Sequence, residues 1–196
     1  MFIYLYKTEQ IKENITDKVD FAKLHQKIKK RLTSQETFAL LDVIYSGEKY
    51  YDGRLLTEYE KRKSRDIAIF TTYLGTGIRV SECVGLDIDD VDFKNDGITV
   101  TRKGGNQMVV YFGDEVRMAL ENYLETTRAA TTPLPDHENA LFLSMQRKRI
   151  GVQAVENMVK KYARVVTPGK KITPHKLRST YGTNLYRETG DIYLVA

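Results

Sequence analysis

Cysteine occurs once in these 196 residues, at Cys83, so no disulfide can close within the chain and no cysteine-based zinc site can form. Apolar runs are short; none approaches the roughly 20 residues that a membrane-spanning helix needs. The opening Met1-Phe2-Ile3-Tyr4-Leu5-Tyr6 is apolar, but no basic stretch precedes it and no small-residue cleavage site follows, so it does not read as a secretory leader. Internal repeats and low-complexity tracts are also missing, which removes solenoids and disordered arrays from consideration. These absences point to the cytoplasm and to no membrane partner. A hydrophobic fraction of 41% is ordinary for a folded protein, and the length suits one domain with a modest extension.

Acidic charge is scarce in two stretches. Residues 18 to 31 hold Lys18, Lys23, Lys27, Lys29, Lys30 and Arg31 against Asp20 alone. Residues 147 to 178 hold Arg147, Lys148, Arg149, Lys160, Lys161, Arg164, Lys170, Lys171, Lys176 and Arg178 against Glu156 alone. The whole chain is only +5, so the remainder is acidic and the positive charge is gathered rather than spread. Such a distribution suits a phosphate backbone; solvated helix faces are the alternative. In the second stretch Arg147, Lys148, Arg149, Lys160, Lys161, Lys170, Lys171 and Lys176 are the expected DNA-binding residues.

The periodicity is mostly helical. Thr33-Ser-Gln-Glu36 is a capping box, and Phe38, Leu41, Ile44 and Tyr45 form a stripe, predicting a helix over residues 34 to 46 that Gly47 ends. A second capping box, Thr57-Glu-Tyr-Glu60, predicts a longer helix with Ile67, Phe70 and Leu74 inward, stopping at Gly75. A short helix follows over residues 80 to 86. The period then changes: residues 98 to 102 and 108 to 112 read as two strands joined by a turn at Lys103-Gly-Gly-Asn106. Asp114 opens a helix with Val116, Leu120, Tyr123 and Leu124 on one side. Pro133 and Pro135 mark a loop, and residues 141 to 143 read as a short strand. Residues 151 to 166 form a helix with Val152, Val155, Val159 and Tyr162 inside. Thr173 and Pro174 start a last helix that runs to Gly190. The expected fold class is α+β, mainly α-helical with a small antiparallel sheet.

Three short elements carry chemistry. In Thr173-Pro-His-Lys-Leu-Arg178, His175 and Arg178 are three apart on one helix face near its N-terminus, where an anion is favoured and an unaccompanied cation is not. That suits a phosphate held by Arg178 with His175 moving a proton; alone, the pair reads more readily as an arginine paired with an acidic side chain and a hydrogen-bonded core histidine. In Thr76-Gly-Ile-Arg79-Val-Ser-Glu82, an arginine follows a glycine turn and Glu82 lies one helical turn on, able to hold it. No strand precedes these glycines and Walker A spacing is lacking, so they punctuate helices rather than cradle a nucleotide. In Thr101-Arg-Lys103-Gly-Gly, a lysine sits at a hairpin tip, able to reach a cleft or simply to be solvated. The acidic run Asp87, Asp89, Asp90, Asp92 and Asp96 fails EF-hand spacing and reads as turns beside an edge strand, with no metal site.

The order of these elements resembles the tyrosine recombinases, the phage integrase family, over about residues 33 to 196. The resemblance implies a DNA breaking-rejoining catalytic core. It implies that Arg79 and Arg178 are the two catalytic arginines, Lys103 the hairpin lysine, His175 the first residue of the His-x-x-Arg box and Glu82 a structural support. Residues 1 to 13 then end the last helix of a core-binding domain, residues 14 to 32 are a basic linker, and residues 33 to 196 form the catalytic domain. Asn14-Ile15 stands where many members have Asn-Pro, a minor departure. The chemistry implied is site-specific recombination through a 3′-phosphotyrosyl intermediate on a mobile element's DNA, with no metal and no cofactor, among several protomers assembled on DNA. The family's second histidine or tryptophan and its nucleophilic tyrosine are expected beyond the segment beginning at Asp191. Tyr193 follows Arg178 too closely to be that tyrosine, so no nucleophile is assigned and the chain is expected to be a fragment unable to cleave. A non-catalytic DNA-binding or regulatory remnant of an integrase is the alternative. A metal-dependent phosphodiesterase lacks a carboxylate and histidine cluster to support it.

Overall fold

The computed structural model describes residues 2–13, 32–102 and 104–189, with side chains described over 4–13, 32–102 and 104–181. Eight α-helices are found among them: α1 Phe2–Lys7, α2 Ser34–Tyr45, α3 Gly53–Glu60, α4 Lys63–Thr76, α5 Val80–Gly85, α6 Asp114–Tyr123, α7 Val152–Val166 and α8 Pro174–Thr189. A three-stranded antiparallel sheet, β1 Val91–Asp92, β2 Gly97–Thr101 and β3 Gln107–Tyr111, is ordered β1-β2-β3. The fold is therefore α+β and mainly helical, as the periodicity predicts.

Helix α4 is the element on which α2, α3, α6 and α8 pack. It is buried on every side from Arg65 to Tyr73, so its amphipathic signal is weak. Its threonines survive burial because each hydroxyl donates one turn back: Thr71 to the Ile67 carbonyl at 2.8 Å, Thr72 to Ala68 at 2.7 Å and Thr76 to Thr72 at 2.6 Å. Around it Ile69, Phe70, Leu120, Val155, Val159 and Leu177 are fully enclosed, each contributing roughly 1.5–3 kcal/mol of transfer free energy. Leu32, the last residue of the expected linker, is buried in the same core.

Several expectations need correction. The capping box at Thr33 is present, Glu36 N–H donating to the threonine hydroxyl and Thr33 N–H to the Glu36 carboxylate. The buried stripe of α2, however, is Leu40, Val43 and Ile44, while Phe38 is 72% exposed and Tyr45 also faces outward. Two apolar stripes share this helix, and packing against α4 and α7 selects the other one. Gly47 does not end α2; Ser46 does, and Gly47 opens a 3-10 turn. Thr57 opens no helix: it lies inside α3, its hydroxyl donating to the Gly53 carbonyl, and α4 begins only at Lys63. Gly75 is still helical, and the turn comes at Gly77. Gly113, not Asp114, is the cap residue of α6. Residues 141 to 143 form no regular strand, only isolated bridges, Asp87 with Ala140 and Leu143 with Arg149. Val152 is partly exposed at the start of α7. The first helix is described over Phe2–Lys7, with turns to residue 13.

Candidate active site

The site grows from the end of α4. Gly77 takes a left-handed conformation, φ 63°, and its N–H donates to the Tyr73 carbonyl to close the helix. No other residue fits, since a Cβ there would lie 2.2 Å from the Tyr181 ring of α8. The chain then extends through Ile78, which is buried, to Arg79 at the N-cap of α5.

Arg79 is held twice by one carboxylate. Its backbone N–H donates to Glu82 Oε2 and its Nη1 to Glu82 Oε1, both at 2.7 Å. The Glu82 side chain is 5% exposed and that of Arg79 is 50% exposed, so the acid is the buried anchor and the guanidinium the exposed end. The Tyr73 hydroxyl is enclosed beside Glu82 and Cys83 without a hydrogen-bond partner among the described residues, and burial pushes its ionisation upward. Burial alone raises the Cys83 thiol to about 12, so this cysteine is inert packing.

Arg178 reaches the same turn from α8, its Nη1 donating to the Gly77 carbonyl. Burial, then the neighbouring charge of Arg79, lowers its pKa from the ordinary arginine value; Glu82 opposes this and Arg102 adds to it. The charges of Arg79 and Arg102 thus both bear on Arg178, and among the described residues the carboxylate that offsets them is Glu82, already engaged by Arg79. His175 lies one turn before Arg178 and is exposed. Lys103 lies outside the described residues, as does Tyr193; the hairpin carrying Lys103 is fixed by Arg102 N–H to the Asn106 carbonyl at 2.8 Å.

The basic residues of 147 to 178 are not one free patch. Arg149 clamps the end of α5, donating to the carbonyls of Gly85 at 3.0 Å and Leu86 at 2.7 Å and pairing with Asp87. Lys161 stands 5.1 Å over the Tyr51 ring. Lys170 pairs with Glu36, Lys160 with Glu156, and Lys176 donates to the Lys171 carbonyl. Arg147, Lys148 and Lys171 are exposed. The acidic run forms turns beside β1: Asp92 caps the N–H groups of Lys94 and Asn95, and Asp96 pairs with Arg117. No group of three His, Cys, Asp or Glu side chains that could hold a metal occurs among the described residues, and no helix there is long and apolar enough to cross a membrane.

Sequence reasoning passed over Arg102 in favour of its neighbour. The signal was available: Arg102 continues the inward parity of Ile98 and Val100 along β2.

Two helices and a glycine turn thus carry Arg79 and Arg178 beside a small three-stranded sheet. The chain belongs to the phage integrase family, whose pattern matches residues 20–196. It is 32% identical over 215 aligned positions to the tyrosine recombinase XerS of Lactococcus lactis subsp. cremoris (strain MG1363), covering 99% of this chain and 60% of that relative. The crystal structure of XerA recombinase superposes with a TM-score of 0.69 at 27% identity, covering 97% of this chain and 60% of that one. The fold is shared also with XerH site-specific recombinase bound to a palindromic difH substrate in a post-cleavage complex, TM-score 0.70 at 19% identity, over 89% of this chain and 47% of that one.

Proposed function

We propose that this chain carries the phosphate-binding and charge-stabilising part of a site-specific DNA recombinase that breaks and rejoins strands through a 3′-phosphotyrosyl intermediate. The observation that carries the reading is the Arg79–Arg178 cluster, two guanidinium groups held against one turn with less negative charge than they need. A phosphodiester supplies the missing charge. In the transition state charge builds on its non-bridging oxygens, where two fixed arginines act with little reorganisation. Glu82 positions Arg79 and does not touch the phosphate. Lys103 protonates the departing 5′-oxygen, and His175, exposed beside Arg178, assists proton transfer. The partners are double-stranded DNA and further protomers assembled on it, and the place of action is the cytoplasm. Residues 14 to 32 serve as a basic linker to a core-binding domain whose last helix includes residues 2 to 13.

The test supplies the attacking group from outside. A pool of nicked duplexes is incubated with the protein and a small phenol or hydrogen peroxide as nucleophile, and strand cleavage is read on denaturing gels. Cleavage above background that disappears in Arg178→Ala supports the reading; equal cleavage in both defeats it. A covalently shifted band lost in Tyr193→Phe would instead make Tyr193 the nucleophile, against its spacing from Arg178.

A further inference from the structure

The hairpin arginine, Arg102, is assigned no role by the family pattern, yet its surroundings differ from those of Arg65, Arg128 and Arg149; Arg62, which also has enclosed nitrogens without a hydrogen bond, is paired with Glu58. Arg65 donates to Asp66 and to the Leu143 carbonyl, Arg128 to the carbonyls of Ala140 and Glu138, and Arg149 to three consecutive carbonyls and Asp87. Each is spent on its own fold. Arg102 is not: its Nε is enclosed and meets no acceptor among the described residues, and no carboxylate there pairs with its guanidinium.

Its backbone, by contrast, is fixed. The Arg102 N–H donates to the Asn106 carbonyl at 2.8 Å, extending the β2–β3 ladder by one pair beyond Thr101 and Gln107, and Gly105 N–H donates to the Arg102 carbonyl at 3.0 Å. The side chain therefore leaves the ladder on the face shared by the buried Ile98 and Val100. On that face its charge weighs on Arg178, together with that of Arg79. A desolvated N–H donor without an acceptor, on a fixed backbone and beside two like charges, is stabilised only when an anion arrives. A nucleic-acid backbone provides repeated anions, so a neighbouring guanidinium can take an oxygen that the Arg79–Arg178 pair leaves free.

We propose that Arg102 is a third phosphate-binding arginine of this cleft, donating to a phosphodiester oxygen of the DNA backbone alongside Arg79 and Arg178. This rests on the DNA-recombinase reading above. It makes Arg102 a binding residue in its own right, separate from the proton-donating role of Lys103.

The experiment is fluorescence anisotropy of the 196-residue chain with a labelled duplex over a series of potassium chloride concentrations, comparing wild type, Arg102→Ala, Arg102→Lys and Arg54→Ala. Arg54 projects from α3 and pairs only with Glu58, so its loss changes net charge equally without touching the cleft. Arg102→Ala is expected to weaken binding about tenfold and to lower the slope of log affinity against log salt by about one. Arg54→Ala should change affinity less than about twofold. Arg102→Lys keeps the charge but not the planar fork, so it retains the slope with an intermediate affinity, and it decides the matter should the alanine variant fail to fold. Wild-type affinity and slope in Arg102→Ala overturn this proposal while leaving the function standing. Failure of the wild type to bind even at low salt overturns both. A parallel titration with inorganic sulfate that reproduces the Arg102 dependence without DNA would reduce the site to a free-anion site and overturn the assignment to the DNA backbone.

Discussion

The two ends of α4 both handle buried arginine, in opposite ways. At the N-terminal end, Arg65 donates to Asp66 through Nε at 3.0 Å and Nη2 at 2.6 Å and to the Leu143 carbonyl at 3.0 Å, and Tyr162 donates to the other Asp66 oxygen at 2.8 Å. Each side-chain partner in that network is itself buried, and charge balances. At the C-terminal end, Arg178 leans on the Gly77 carbonyl while Arg79 and Arg102 press on it, and Glu82, then Tyr181, offset them. One end is closed by the fold and the other is left for something to complete. A protein that gathers three arginines, half-buried or exposed, around one buried carboxylate leaves room for an anion from outside.

The largest effect should separate the two ends in stability. Asp66→Ala strands Arg65 in the core and is expected to cost on the order of 3–5 kcal/mol in urea denaturation. Arg178→Met, which relieves like-charge repulsion and burial, should cost less than about 1 kcal/mol while abolishing the cleavage assay described above. Equal losses in both would erase the distinction.

A middle-sized effect tests the turn itself. Gly77→Ala meets both the left-handed backbone and the Tyr181 ring, and is expected to cost about 1–3 kcal/mol. Adding Tyr181→Ala should recover the steric part and leave the backbone part, so the double mutant is more stable than the sum of the two singles predicts.

Glu82→Gln sharpens the charge comparison. It can keep a hydrogen bond to Arg79 but removes the cluster's one carboxylate. Thermal stability at low salt should fall by on the order of 1–2 kcal/mol, and sulfate should restore more of it than in wild type. A sulfate response equal to wild type would mean the cluster is already balanced.

The smallest effect concerns Lys170, expected from sequence to face DNA but paired with Glu36 in the structure. The Lys170 hydrogen bond, then that from Thr33, holds the Glu36 carboxyl below its ordinary value. A carboxylate with a lowered folded-state pKa contributes stability above its unfolded value and loses it as pH falls through the folded one. Melting temperature should therefore decline as pH drops between about 5 and 3, less steeply in Lys170→Met. Parallel acid limbs would show the pair to be idle.

How far these features can be read from sequence depends on whether the signal is local. The Thr33 capping box and the β2–β3 hairpin are set by adjacent residues, and both appear as expected. The Arg79–Glu82 contact follows from helical spacing, and it too is present. The facing stripe of α2 is not local: of Phe38, Leu41, Ile44 and Tyr45 only Ile44 is buried, alongside Leu40 and Val43, and the neighbouring helices make that choice. The α3–α4 boundary fails for a related reason, because the Thr57 box competes with a helix start at Asp52. Of the site, the order of the motifs in the chain marks Arg79 and Arg178, but the Tyr181 ring on Gly77 and the charge of Arg102 on Arg178 arise across the fold. Arg149 and Lys170 show the converse: charge counted along a chain cannot tell which cations are already taken.

The Gly77 turn has a mechanical consequence. Its N–H is tied to α4, and its carbonyl and bare Cα meet Arg178 and the Tyr181 ring of α8, so two helices are joined at one residue with no side chain to yield. Such a joint transmits displacement instead of absorbing it. If α8 slides along α4, the arginine contact and the ring contact move together, and the backbone that carries Arg79 must follow or let go of both. The spacing of the two arginines is thereby tied to how α8 is seated on α4.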